Sequence, residues 1–244
     1  MPEIIIAKDL DELSRLAAER FISLAKAAIR SHGRFTVALA GGSTPASLYR
    51  LLAGEEFRDR VDWPKVFFFF GDERRVPPDH PDSNFRMAKE NLFDRLKTAP
   101  QNIFRWPAEK PVAEEAAADY EAAIKGFFTG DSLPRFDLIL LGLGADGHTA
   151  SLFPYSPALK EFSRIAVANP VEKLSASRLT LTFPVINNAA SIVFLVSGRE
   201  KAIALREILE GSLDPEKYPA QSVKPEDGKS TWFVDKNAAG LLRS

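Results

Sequence analysis

Leu138–Pro154 reads LILLGLGADGHTASLFP. Four apolar residues, Leu138–Leu141, run into Gly142-Leu-Gly144-Ala-Asp-Gly147, a match to G-x-G-x-x-G, and His148 follows at once. Two kinds of protein fit this stretch. In one it is the pyrophosphate turn of a dinucleotide-binding fold. In the other it is a loop that presents a histidine at the edge of a sheet. The dinucleotide turn needs a helix directly after the glycines and an acid at the end of the next strand, about 20 residues on. Pro154 and Pro157 cut such a helix short, and the next strand candidate, Arg164–Val167, ends at Ala168-Asn169 without an acid. The fingerprint also usually sits in a chain's opening βαβ unit, and here several strands precede it. The glycines therefore read as a tight turn that holds His148 at the carboxyl edge of a buried strand.

Working outward, short apolar runs alternate with helical stripes. Ile4–Ala7 reads as a strand, and Asp9–Arg30 carries Leu13, Leu16, Ala17, Phe21 and Leu24 at helical spacing. Phe35–Ala40 is a second strand. Thr44 as N-cap with Pro45 at the first helical position opens a helix through Leu52. Val66–Phe70 is apolar throughout, as a strand buried on both faces would be. Helices are expected over Phe85–Leu96 and Val112–Phe128. Arg178–Phe183 alternates with period two, giving a strand with Arg178, Thr180 and Thr182 on a polar face. Ser191–Val196 is again apolar. Ser197-Gly-Arg-Glu200 has the form of a capping box for a helix reaching Leu209, and Thr231–Val234 reads as a last strand. Strands alternating with helices predict an α/β fold: a three-layer αβα sandwich with a mainly parallel, Rossmann-like sheet, as one domain over residues 1–244. The loops Pro77–Ser83 and Tyr218–Lys229 are too short to separate domains.

Composition narrows the functional classes. The chain has 244 residues, 45% of them hydrophobic, enough for a sizeable core and against disorder. A formal net charge of −1 is no footprint for nucleic acid or an anionic membrane surface. The absence of cysteine excludes disulfides and zinc–thiolate sites. The N-terminal stretch does not read as a signal peptide, and no apolar run approaches the roughly 20 residues a spanning helix needs. The expectation is a soluble cytoplasmic protein, monomeric or weakly homo-oligomeric, with no nucleic-acid or membrane partner.

In open α/β sheets ligands bind at the carboxyl ends of the strands. Four segments place unusual polar residues there. Gly41-Gly42-Ser43-Thr44-Pro45 leads into a helix, so its backbone N–H groups and the two hydroxyls suit a phosphate, although no Walker A lysine follows. In Gly71-Asp72-Glu73-Arg74-Arg75 the charges either form a solvated loop or let Asp72 and Arg74 orient a substrate. Two acids could also suggest Mg²⁺, but no second acidic segment is obviously paired with them. Ser197–Lys201 puts Arg199 and Lys201 in the first turn of a helix, where the dipole disfavours cations by roughly 0.3–1 kcal/mol. A bound anion would reverse that sign, and Arg178 could join it; the alternative is plain surface charge. The fourth segment supplies His148. The chain has three histidines, and His32 and His80 are expected at the surface. A neutral imidazole near pH 7 is a natural general base, with Asp146 placed to orient it.

These segments also carry a resemblance. LAGGSTP, FFFGDERRV with SNFRMAKENL, FDLILLGLGADGHTASLFP, RLTLTFPVINNA with VFLVSGREKA, and the closing PAQSVKPEDGKSTWFVD occur in the order found in the 6-phosphogluconolactonase family, and the chain resembles it over nearly its whole length. That family shares its fold with glucosamine-6-phosphate deaminase. The deaminase would carry Asn-Glu-Pro after its histidine segment and a tyrosine after Gly-Asp-Glu, where this chain has Ser151-Leu-Phe-Pro154 and Arg74. The resemblance implies hydrolysis of 6-phospho-D-glucono-1,5-lactone to 6-phosphogluconate in the oxidative pentose phosphate pathway, with no metal or organic cofactor. It implies a phosphate cradle at Gly41, Gly42, Ser43 and Thr44, aided by Arg178 and Lys201. His148 would be the base, and Asp72, Arg74 and Asp146 would line the lactone end. Two other classes remain open on the residues alone. A non-catalytic sugar-phosphate-binding regulator has no need of His148, and a dinucleotide oxidoreductase would bind NAD(P)H.

Overall fold

Phe67–Phe70 are four consecutive phenylalanines, and the two faces they form explain the layering. A computed structural model describes residues 2–129 and 133–243. In it Val66–Phe70 is a strand. Phe68 and Phe70 pack on Phe93, with Trp63 and Phe85 beside them. Phe67 and Phe69 pack on Phe127, and Phe69 also meets Phe104, Phe128 and Phe136. A strand apolar on both faces must be covered on both, so the sheet is the middle of three layers.

Nine strands are described: β1 (Glu3–Ala7), β2 (Phe35–Leu39), β3 (Val66–Phe70), β4 (Asp72–Arg74), β5 (Leu138–Leu141), β6 (Ala166–Val171), β7 (Ala176–Leu181), β8 (Ser191–Val196) and β9 (Lys229–Asp235). Six pair in parallel in the order β1-β9-β8-β5-β2-β3. This is the mainly parallel sheet expected from the sequence. The other three form a small antiparallel sheet, β4-β7-β6, which was not expected.

The helices are α1 (Leu10–His32), α2 (Ser43–Leu52), α3 (Asn84–Ala88), α4 (Asp94–Leu96), α5 (Ala113–Phe128), α6 (Phe183–Asn187) and α7 (Ala202–Glu210). A π-helical turn, Lys89–Phe93, joins α3 to α4. Asp9 caps α1 by accepting from the Glu12 N–H, and Gly33 ends it at φ 80°. α1 packs on α2 and reaches β1, β2, β8 and β9. α5 instead packs on β6 and β7.

The strand order fixes where a ligand site can form. From β2 the chain steps outward to β3, and from β5 it steps the opposite way to β8. Right-handed crossovers send these two connections to opposite faces of the sheet. The loops after β2 and β5 therefore diverge, and a crevice opens between their carboxyl ends.

Three local expectations differ from the structure. α2 begins at Ser43, so Gly42 is its N-cap at φ 103° with no side-chain cap, and Thr44 lies inside the helix. The capping box at Ser197–Glu200 does not form. Ser197 Oγ donates to Asp235 instead, because β9 ends beside β8 and offers a buried carboxylate, and Arg199–Lys201 is a 3₁₀ turn before α7. β7 stops at Leu181, and Phe183 already belongs to α6. Its polar face does not meet water: Thr180 and Thr182 are fully buried, with Thr182 Oγ1 donating to Arg164 O at 2.6 Å.

Candidate functional site

The crevice between β2 and β5 holds a cavity of about 440 Å³. Two buried tyrosines steady the ends of β2 and β3 beside it. Tyr49 Oη accepts from Ala40 N at 3.0 Å and donates to Ala40 O at 2.8 Å, where β2 has lost its sheet partners. Tyr120 Oη accepts from Phe70 N at 2.7 Å, and Trp106 Nε1 donates to Phe70 O at 3.0 Å. Each pins a strand end without spending a loop residue on it. Beyond Tyr49, Gly41 and Gly42 line the cavity. The Ser43 and Thr44 N–H groups find no acceptor among the described residues, as the helix start demands. Pro45 has no N–H to add.

The Asp72–Arg74 segment is not the solvated loop that its charges allowed. Asp72 and Glu73 are buried. Glu73 accepts from the N–H groups of Arg74, Asn84 and Phe85 and from Ser83 Oγ, at 2.7–3.2 Å. Burial raises its pKa, and the three backbone donors pull the other way. The arrangement ties the segment to the start of α3, and Asn84 in turn donates to Asp72 O and Oδ1. Ser151 Oγ donates to Asp72 Oδ2 at 2.6 Å. Asp72 thus presents a fixed carboxylate at the cavity wall.

The turn after β5 folds back on itself. Gly144 N donates to His148 O at 2.8 Å and Gly147 N to Gly144 O at 3.0 Å. Gly147 takes φ 86°, which needs glycine. Asp146 Oδ1 lies 2.5 Å from His148 Nδ1. A carboxylate can only accept, so Nδ1 carries the proton and Nε2 keeps its lone pair. The ring stacks on Phe153 at 4.2 Å between centroids. Desolvation lowers the His148 pKa; Asp72 raises it, and Lys201, Arg178 and Arg74 lower it further. The imidazole is neutral at pH 7.

Cations close the opposite wall. Arg74 on β4 stands directly across from Arg178 on β7. Like charges in register repel, and burial together with Arg74 lowers the Arg178 pKa. Lys201 comes from the turn after β8, and its nearest acid, Glu200, is 3.9 Å away. Arg178 forms no ion pair with an acid among the described residues. Asp72 is the one acid lining the cavity, against Arg74, Lys173, Arg178 and Lys201. The surplus positive charge suits an anionic ligand. Among the described residues no three His, Asp or Glu side chains converge as a metal site would need.

A family model described as glucosamine-6-phosphate isomerases/6-phosphogluconolactonase matches residues 8–232. The chain belongs to that family. The 6-phosphogluconolactonase of Synechocystis sp. is 46% identical over 219 residues, covering 88% of this chain and 88% of that protein. The human 6-phosphogluconolactonase is 39% identical over 232 residues, covering 94% and 88%. The structure of 6-phosphogluconolactonase from Trypanosoma cruzi superposes with a TM-score of 0.87 at 30% identity, over 100% of this chain and 98% of that one. A monomeric glucosamine-6-phosphate deaminase shares the fold, with a TM-score of 0.79 at 22% identity.

In this family member seven of the residues singled out from sequence line one cavity: Gly41, Gly42, Asp72, Arg74, His148, Arg178 and Lys201. Ser43 and Thr44 do not line it, and Arg199 does not join Lys201 there. Asp146 sits behind His148 rather than facing the cavity. His32 pairs with Asp137 at 2.9 Å and His80 lies near Asp82, both away from the site. Sequence reasoning missed Ser151, Phe153 and Lys173, which line the cavity, and Asn84, which braces Asp72. Ser151 and Phe153 lie in the quoted stretch, three and five residues after His148, and a turn that short keeps them beside the ring; that proximity was the available signal. Lys173 is a lone lysine in a polar turn, and nothing local marks it.

Proposed function

We propose that this protein hydrolyses 6-phospho-D-glucono-1,5-lactone to 6-phosphogluconate, as the names of its relatives imply, with His148 as general base and no metal in the reaction. One observation carries the reading: a neutral imidazole with a free Nε2 shares a cavity with cations that outnumber their acids. A lactone carbonyl with a distant phosphate needs both.

The phosphate sits against Arg178, Lys201 and the glycine turn Gly41-Gly42 that leads into α2. This places the ring toward His148 and fixes C1 before reaction, so binding remote from C1 lowers the barrier there. His148 Nε2 takes a proton from water as the water oxygen bonds to C1. The carbonyl π electrons move to oxygen, and the tetrahedral oxyanion accepts a hydrogen bond from Arg74. Two N–H groups of the histidine turn, those of Gly144 and Gly147, are already used within the turn, which favours Arg74 as donor. A donor of this kind contributes about 3–4 kcal/mol. The intermediate collapses, the C1–ring oxygen bond breaks, and imidazolium returns its proton to the departing oxygen as the C5 hydroxyl. The acid product ionises, so each turnover releases one proton. Asp72, fixed by Ser151 and Asn84, accepts from a ring hydroxyl. Asp146 holds the ring of His148 with Nε2 forward.

Freshly prepared 6-phosphogluconolactone, assayed by proton release and corrected for spontaneous hydrolysis, tests the reading. Saturable hydrolysis above the blank is expected. A chain that leaves the blank rate unchanged, or instead releases ammonia from glucosamine 6-phosphate, does not carry this function.

A further inference from the structure

Lys173 has no part in the steps above, yet it touches both groups that hold His148. It lies at the tip between β6 and β7, in the 3₁₀ turn Glu172–Leu174. Its ammonium pairs with Asp146 Oδ2, while Asp146 Oδ1 faces His148 Nδ1. The same ammonium stands 4.8 Å from the centroid of Phe153, and Phe153 stacks on the imidazole. One cation from a distant hairpin thus grips the edge partner and the face partner of the same ring.

The chemistry of a shared carboxylate makes this more than a tie. An acid on Nδ1 orients an imidazole, but it also favours the charged form, and a protonated ring cannot act as a base. A cation on the second carboxylate oxygen removes part of that pull. The ring stays oriented and stays neutral. The other groups facing His148 are Asp72 and Arg74 from β4, Arg178 from β7 and Lys201 from the turn after β8. None of them shares Asp146, so none can substitute for Lys173 in this respect.

We propose that Lys173 is a positioning residue for His148: by sharing Asp146 and covering Phe153 it clamps the imidazole while preventing Asp146 from holding it protonated. This rests on His148 being the base. It also joins the two halves of the site, because Lys173 and Arg178 stand on the same β6–β7 hairpin. An anion drawn to Arg178 meets a strand whose tip already orients the base.

The test is an NMR titration of the His148 ring in the free protein, with His148→Gln assigning the signal and the rings of His32 and His80 as internal references. Lys173→Met keeps a long unbranched side chain and removes the ammonium that faces both Asp146 and Phe153. Its His148 midpoint is expected to rise by about half a pH unit or more, since a nearby opposite charge commonly moves a pKa by about one unit or more. Lys173→Arg is expected to keep the original midpoint. The acid limb of kcat/KM for the phosphorylated lactone should move with the NMR midpoint in Lys173→Met. An unchanged midpoint in Lys173→Met, or a rise in Lys173→Arg equal to that in Lys173→Met, overturns the proposal. A risen midpoint with an unmoved kinetic limb upholds the clamp and instead removes His148 as the base.

Discussion

Two glycine-rich turns stand side by side at the carboxyl edge of the sheet and do opposite things. The turn after β2, Gly41-Gly42-Ser43-Thr44, opens directly into α2 and leaves its N–H groups bare. The turn after β5, Gly142–Gly147, opens into no helix and spends two N–H groups on itself to hold one side chain. Their glycines differ accordingly. Gly42 is needed for its φ of 103° at the helix start. Gly144 is needed for space: a Cβ there would lie 2.0 Å from His148 Nδ1 and 2.6 Å from Asp146 Oδ1. Each turn also holds a glycine of the other kind: Gly41 is tight against Asn84, and Gly147 takes φ 86°. A glycine pattern therefore does not by itself name a ligand; the element after the glycines, helix or closed turn, decides between them.

The contrast breaks hardest at His148. Replacing it with alanine is expected to lower kcat by about 10²–10⁴, with KM little changed. Turnover near the parent value in a folded variant would end the assignment of the base to the second turn. The parent enzyme supplies a companion measurement. Because burial and three cations depress the His148 pKa, the ring remains neutral well below pH 6.5. Activity should hold as pH falls through 6.5 and decline only below it. Folding follows the same sign. A depressed pKa means the unfolded chain binds the proton first, so this group's contribution to stability is present above pH 6.5 and is lost as pH falls.

Gly144→Ala sharpens the comparison without removing any catalytic atom. The new methyl must push the imidazole or Asp146 aside, and a misplacement of about 1 Å can cost 10²-fold in rate. A fall in kcat of that order is expected. Gly41→Ala collides as badly, with its Cβ 1.8 Å from Asn84 Oδ1, but the neighbour it displaces braces Asp72 rather than His148. It should raise KM more than it lowers kcat. Equal kcat losses in the two variants, by steady-state kinetics, would mean that the turns do not divide the work in this way.

Much of this was legible in the chain. The fully buried strands announce themselves as unbroken apolar runs, and an apolar run ending in glycine marks a site edge without further help. Gly41, Asp72, His148 and Lys201 were all reached that way. The small antiparallel sheet was not, for a physical reason. β4 follows β3 after a single residue, Gly71, so its charged residues read as the loop after one strand rather than the start of another. Its partner β7 is distant in sequence, and only the fold brings Arg74 opposite Arg178. Glu73 misled in the same way. Its type suggested water, but three backbone donors and a serine satisfy it in the interior. Thr180 and Thr182 read as one polar strand face, but β7 ends at Leu181 and both residues are buried.

That hidden pairing gives the next test. Arg178→Met and Lys201→Met should each raise KM for the phosphorylated lactone by about 10- to 100-fold. A hydrogen bond to a charged group is worth about 1.5–3 kcal/mol, and 1.4 kcal/mol is tenfold. The kcat should change far less. Arg178→Met also removes a repulsion with Arg74, so thermal stability should not fall with affinity. A variant with parent KM takes that cation out of the phosphate's reach.

The smallest expected effect lies in the first turn. Ser43 and Thr44 look like phosphate ligands by type, but they do not line the cavity; Gly41 and Gly42 before them do. Ser43→Ala and Thr44→Ala keep every backbone donor. Each should change KM by less than about twofold, because a typical neutral hydrogen bond contributes about 0.5–1.5 kcal/mol and neither hydroxyl faces the cavity to make one. Gly42→Ala is the informative partner. Its side chain would be strained at φ 103°, by roughly 1–2 kcal/mol, and relaxing that strain would shift the glycine turn that lines the crevice. KM should rise in Gly42→Ala and stay put in the two hydroxyl variants. The reverse order would place the phosphate on side-chain oxygens and make the two glycine turns alike after all.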